Sequence, residues 1–162
     1  MISLFQCPIK KFFNYLLIST FLLLFACTDN QDPAGAKALW EALEDADYTT
    51  WQRAPGYEER RSSNAPHGDK VDIYINDVMV QALASNTGLT EWPNGSVIVK
   101  DGFDGSDLEL IAVMEKRLTG WYWAEYESDG EILFSGDPDT CTDCHRAGAD
   151  FVRAFSFPTP QD

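Results

Sequence analysis

Asp107-Leu108-Glu109-Leu110-Ile111-Ala112-Val113-Met114-Glu115-Lys116-Arg117 is the longest of three extended runs that follow one another at short spacing. Successive side chains of a strand point to opposite faces. Leu108, Leu110, Ala112 and Met114 are therefore expected on one face, and Glu109, Ile111, Val113 and Glu115 on the other. Thr119-Gly120 turns the chain into Trp121-Tyr122-Trp123-Ala124-Glu125-Tyr126-Glu127. Asp129-Gly130, a dipeptide that tolerates the positive φ of a tight hairpin, leads into Ile132-Leu133-Phe134-Ser135. Three strands joined this way form an antiparallel meander.

Working outward, Pro93-Asn94-Gly95 is a turn and Ser96 to Lys100 a further strand. Val71-Asp72-Ile73-Tyr74-Ile75-Asn76 alternates apart from Tyr74, which predicts a half-buried strand. Asp77 is placed to cap a short helix with Val78, Met79, Ala82 and Leu83 on its apolar side, ended near Asn86-Thr87-Gly88. Tyr48 to Asp69, holding Pro55-Gly56, Arg60-Arg61 and Pro66-His67-Gly68, is predicted to wrap the surface as irregular chain. Asp32-Pro33 reads as a cap and first-turn pair opening a helix through about Asp45, with Ala36, Leu39, Trp40, Leu43 and Ala46 as its buried stripe. The predicted class is α+β: a mainly antiparallel sheet with an N-terminal helix and a short helix packed on it.

Lys10 and Lys11 precede an apolar run, Phe12 to Ala26, broken only by Asn14, Ser19 and Thr20. A basic start and a short apolar stretch are the parts of an export signal, and the run falls short of the ~20 residues that span a bilayer. Leu24-Phe25-Ala26-Cys27 resembles a bacterial lipoprotein box, in which the cysteine is lipidated and becomes the new N-terminus. The expectation is a lipoprotein-type signal peptide over 1–26, a tether over 27–33 and one folded domain over 34–162, periplasmic and anchored by acyl chains. An uncleaved anchor helix is the alternative, and it too places the domain outside the cytoplasm.

The 162 residues carry 12 Lys+Arg against 26 Asp+Glu, a net charge of −14, which repels phosphate backbones and excludes nucleic acid as a partner. Loss of the signal removes two lysines and no acid, leaving 10 against 26 and a net of −16. Aromatic residues at 13% disfavour a disordered chain and call for one packed core. With two histidines, no site needing three imidazoles can form. Of four cysteines, Cys7 lies in the signal and Cys27 is assigned to lipid, so only Cys141 and Cys144 remain.

Cys141-Thr142-Asp143-Cys144-His145 is the spacing by which haem is attached covalently: two cysteines form thioethers with the vinyl groups and the next histidine ligates iron. Residues three apart on a helical turn share a side, which brings both thiols to one porphyrin. A redox dithiol, half of a zinc site and a chance match compete with that reading. The dithiol lacks the strand and opening helix of a thioredoxin-like unit, and zinc lacks a second cysteine pair. Only Arg146 to Asp162 follow His145, and none is Met or His, so the small-cytochrome plan with a downstream methionine is excluded. A second axial ligand would have to come from His67, Met79, Met114 or a lysine. His67 reads more simply as a turn residue and the methionines as core, which favours an open iron that binds a small molecule. Trp121, Tyr122, Trp123, Tyr126, Phe134, Phe151, Phe155 and Phe157 supply flat apolar walls for a macrocycle, or equally ordinary sheet packing.

The order of these signals resembles the cytochrome P-460 family, exported monohaem proteins related to beta-type cytochromes c-prime. The resemblance is carried by Pro66-His67-Gly68, Ile73-Tyr74-Ile75-Asn76-Asp77, Trp92-Pro93-Asn94-Gly95-Ser96-Val97-Ile98-Val99-Lys100, Met114-Glu115-Lys116-Arg117, Gly120-Trp121-Tyr122-Trp123, Cys141 to His145 and Asp150-Phe151-Val152. It implies a β-sheet haem domain that commonly forms a homodimer, one covalent haem c on Cys141 and Cys144, and His145 as the iron ligand with the other face open to nitric oxide or hydroxylamine. It also implies that Lys100 is the candidate for a lysine bonded to the porphyrin edge, as in the active members, with Trp123 beside the haem. Hydroxylamine oxidation needs a proton acceptor, and Glu115 and Glu125 are the carboxylates on the neighbouring strands. The implied activity is oxidation of hydroxylamine with electrons passed to a partner cytochrome. A non-catalytic nitric oxide carrier or sensor with Phe103 on its apolar distal face, and an electron-transfer cytochrome, are the readings from other classes.

Overall fold

A computed structural model describes residues 31–64, 66–85 and 88–158. The signal segment, Cys27 and the helix-ending pair Asn86-Thr87 lie outside them. Helix α1 (Pro33–Asp45) begins where the Asp32 carboxylate accepts from the Gly35 N–H and proline fixes the first turn. Ala36, Leu39 and Leu43 are its buried residues, with Trp40 partly buried beside them; Ala46 is the exposed C-cap rather than part of the stripe.

Among the described residues seven strands form one antiparallel sheet: β1 (Gln52–Arg53), β2 (Arg61–Ser62), β3 (Lys70–Ile75), β4 (Val97–Asp104), β5 (Asp107–Arg117), β6 (Gly120–Glu127) and β7 (Ile132–Gly136). The order is β1-β3-β4-β5-β6-β7, with β2 also pairing with β3. The chain from Tyr48 to Asp69 is thus not purely a surface wrap. Tyr48 and Ala54 are buried, and two short strands from this segment pair with β3. Helix α2 (Asp77–Ala84) is capped by Asn76, whose side chain accepts from the Met79 N–H, one residue earlier than expected.

The sheet separates two cores. On one face α1 packs through Ala36, Leu39 and Leu43 onto Tyr74, Val97, Val99, Ile111, Val113, Tyr122, Ala124 and Tyr126. The Tyr126 hydroxyl donates to the Ala36 carbonyl at 2.7 Å, which sets α1 over the strand. On the other face Val71, Ile73, Ile75, Ile98, Met114, Trp121 and Trp123 pack against α2 and the C-terminal segment. Strand β3 is therefore buried on both faces, not half-buried. Asp72 survives there because Arg53 and Arg60 both donate to its carboxylate.

The expected alternation of β5 holds from Leu110 onward but fails at Leu108. Gly102 faces Leu110 and Phe103 faces Leu108, so Glu109 is an extra residue in β5. Such a bulge reverses the alternation, and Leu108 joins the α1 face.

Candidate functional site

Helix α3 (Asp139–His145) carries both thiols and the imidazole on two turns. Cys144 is exposed and accepts from Arg153 Nη1 at 2.9 Å through its sulfur. Cys141 is half-buried against the core of the C-terminal face. Burial, reinforced by the Glu125 carboxylate, pushes its thiol up to about 11.

His145 is held from two sides. Its Nδ1 lies 2.9 Å from the Phe151 carbonyl oxygen, which can only accept, so the proton sits on Nδ1 and Nε2 keeps a free lone pair. The Trp123 ring meets the imidazole edge to face, with centroids 4.6 Å apart. Burial holds the imidazole below its usual pKa; the Phe151 hydrogen bond opposes this, while His67, Lys100 and Arg153 add to it. A neutral ring with a fixed tautomer is the form that ligates a metal. The carbonyl is aimed by a tight turn in which Asp150 (φ 46°) and Phe151 (φ 67°) are both left-handed. Each such residue costs about 1–2 kcal/mol when it is not glycine.

The sheet opposite supplies a row of side chains. Cross-strand register places Lys100 (β4), Ala112 (β5), Glu125 (β6) and Phe134 (β7) side by side. The small Ala112 leaves the floor between Lys100 and Glu125 low. Burial holds the Lys100 amine below its usual pKa; the Arg153 guanidinium adds to this, while Cys144 and Glu125 oppose it. His67 reaches the same face: its Nδ1 lies 2.7 Å from Glu125 Oε1. The loop carrying His67 crosses the sheet at Gly102, where a Cβ would stand 2.3 Å from the His67 carbonyl oxygen. Only the bare backbone admits this approach.

The structure brings Cys141, Cys144, His145, Lys100 and Trp123 together and removes two other expected residues. Glu115 lies on the α1 face, opposite Val97 and Tyr122, where it accepts from Arg117 at 2.6 Å. Strand alternation puts it on the wrong side of the sheet, and Glu125 is the carboxylate at the site. Phe103 lies under the Arg60 guanidinium, 3.4 Å from its ring centroid, on the side where Arg60 binds Asp72. The bulge at Glu109 sits beside it, and Phe103 lines no part of the Lys100 face. Tyr122 and Tyr126 likewise belong to the α1 face. Met79 and Met114 are buried in the core beside α2 and β6. The His67–Glu125 pair joins residues 58 apart in sequence, and only the turn signal at Pro66-His67-Gly68 marks its first member.

These residues fit a haem. Among the described residues the buried Trp123 indole N–H has no partner, and a polar-edged group on this face would satisfy it. Among the described residues no three His, Cys, Asp or Glu side chains converge on a bare ion. A preformed cofactor held by two thiols and one imidazole suits this donor set better than a bare ion.

A family model described as Cytochrome P460 matches residues 45–153, more than half of the chain. No match was found among curated proteins. The matched span runs from the end of α1 through every strand and the Cys-Thr-Asp-Cys-His motif to Arg153, and so contains every side chain gathered above. The chain belongs to the cytochrome P460 family and is a haem protein.

Proposed function

We propose that the protein is an exported, membrane-tethered monohaem c-type cytochrome whose iron is held by His145 on one axial side and open on the other, where it binds and oxidises hydroxylamine or binds nitric oxide. The observation that carries this reading is the tie between His145 Nδ1 and the Phe151 carbonyl, which leaves Nε2 for the iron beside a lysine and a carboxylate on the facing sheet. Cys141 and Cys144 would add to two vinyl groups. Each addition puts sulfur on one carbon and the thiol hydrogen on the other, and no oxidant is consumed.

A haem held by these residues would supply a redox-active iron able to bind a small nitrogen ligand. The chain supplies the rest. Oxidation of hydroxylamine releases one proton for each electron removed, and Glu125 is the acceptor at this face. His67 holds Glu125 by Oε1. Lys100, desolvated and near Arg153, is the amine that a porphyrin held on this face would meet, and a covalent bond there would alter the electronic character of the ring. The electrons leave to a partner cytochrome.

Absorption spectra of the purified protein, oxidised and reduced, test this directly. A high-spin spectrum with a red-shifted ferrous band is expected, and Lys100→Leu should return it to that of an ordinary haem c. Glu125→Gln should cut hydroxylamine oxidation by ~10²–10⁴-fold while leaving the spectrum unchanged. Tight nitric oxide binding without hydroxylamine turnover would leave only the gas-binding role. A low-spin spectrum would replace the open site with an electron-transfer cytochrome, and a colourless product would end the haem assignment at Cys141 and Cys144.

A further inference from the structure

Three segments far apart in the chain converge on the turn that follows His145. The Ala149 N–H donates to the Val152 carbonyl at 2.9 Å and the Val152 N–H donates back at 3.1 Å, closing a two-residue hairpin over Asp150 and Phe151. Both central residues are left-handed, a geometry that persists in non-glycine residues only when the surroundings over-determine it. Here they do. Lys116 Nζ, at the end of β5, donates to both Asp150 carboxylate oxygens at 3.0 and 2.8 Å. The Trp92 backbone N–H donates to Asp150 Oδ2 at 2.9 Å, and its indole Nε1 donates to the Ala149 carbonyl at 3.0 Å. Lys116 and Asp150 are each only 12% exposed, and Trp92 is buried.

A pair so little exposed gains little net stability, because desolvation offsets most of its attraction. Two apolar residues would hold a chain end as well. What the ion pair adds is direction: it fixes where Asp150 points, and with it the plane of the next peptide. The next residue of the hairpin carries the Phe151 carbonyl, which receives the Nδ1–H of His145. Outer partners of a ligating imidazole set its orientation and its electron donation to the metal.

We propose that Lys116 and Asp150, braced by Trp92, are positioning residues that set how strongly His145 donates to the iron, acting through the Phe151 carbonyl. The inference rests on the reading of His145 as the iron ligand and extends it to side chains that touch neither iron nor substrate. Lys116→Met removes the pull on the turn. Asp150→Asn keeps a residue that tolerates the left-handed backbone and an acceptor for Trp92, but loses the charge. Lys116→Arg keeps the charge.

The haem-loaded full-length protein is measured in its ferrous state by resonance Raman, together with its midpoint potential. A weaker hydrogen bond from Nδ1–H to the Phe151 carbonyl makes the imidazole a poorer donor. The iron–histidine stretch should therefore move to lower frequency and the potential should rise in Lys116→Met and Asp150→Asn, with Lys116→Arg returning both toward wild type. A second measurement needs no haem. Nitrogen-15 NMR of the unloaded chain should find His145 as the Nδ1–H tautomer in the wild type and a mixture with the Nε2–H form in both charge-loss variants. Variants that fold, judged by circular dichroism, and keep the wild-type band, potential and tautomer would overturn the proposal and reduce the pair to a structural clamp. If Lys116→Met does not fold, Asp150→Asn carries the test. A protein that takes up no haem would end the iron reading, while the tautomer measurement would still decide whether the turn orients His145.

Discussion

Asp101 follows Lys100 and points to the other face of the sheet, where it is 4% exposed and accepts from the Tyr48 hydroxyl at 3.0 Å. Burial raises its carboxyl to about 6 against an ordinary 3.8; Asp72, its cross-strand partner, adds to this, while Tyr48 and the two arginines work against it. A folded value above the unfolded one means stability that is complete below pH ~4 and is lost as pH rises through about 6. A gap of roughly two units corresponds to ~3 kcal/mol. Asp101→Asn keeps the acceptor for Tyr48 and cannot ionise. It should be more stable than wild type by about 1–3 kcal/mol at pH 8 and lose that advantage at pH 4 in urea unfolding. A variant less stable than wild type at pH 8 would show that the charged form is the one this network favours. Residues of this kind separate what could be read from the sequence from what could not. The thiols and His145 are legible because their chemistry is packed into five positions. The partners of His145, Glu125 and Lys116 come from 6, 58 and 34 residues away, and no local pattern announces them.

The crossing at Gly102 ties the His67 loop to β4. In Gly102→Ala the new methyl would meet the His67 carbonyl oxygen at 2.3 Å and its carbon at 2.9 Å, and a peptide pinned by the Asp69 N–H to Phe103 carbonyl bond has little room to retreat. We expect a loss on the order of 2–3 kcal/mol in chemical denaturation, together with release of His67 from Glu125, visible as a shift of the His67 ring resonances. Equal stability would mean the loop slides freely. This close approach also explains where the reading of strands stopped. The period of two, the Asp129-Gly130 signal and the cap at Asp32 suffice for α1 and for β5 to β7. The bulge at Glu109 depends on pairing with β4 next to this same crossing, so nothing within β5 forecasts the reversal of Leu108. Two-residue strands such as β1 and β2 are too short to carry any periodicity and exist only because β3 offers them an edge. Glu115 and Phe103 were misplaced for related reasons: one through the choice of strand face, the other beside the bulge.

Over the whole molecule, 26 acidic residues against 12 basic ones leave a net charge of −14, so the folded state works against its own repulsion. Raising salt from ~10 mM, where charges feel one another over about 30 Å, to ~1 M, where the range is about 3 Å, should raise the melting temperature by several degrees in thermal scans. A falling temperature would mean that exposed ion pairs outweigh the excess of acid. The acidic balance was legible from composition alone; the division of the interior into two cores was not, because it needs the register of every strand. That division reaches into biosynthesis. The core beneath α1 contains no residue of the Cys-Thr-Asp-Cys-His tail, so half of the molecule has no stake in the prosthetic group. A newly made chain can thus set its scaffold first and offer the haem a ready-made sheet with one unfinished side.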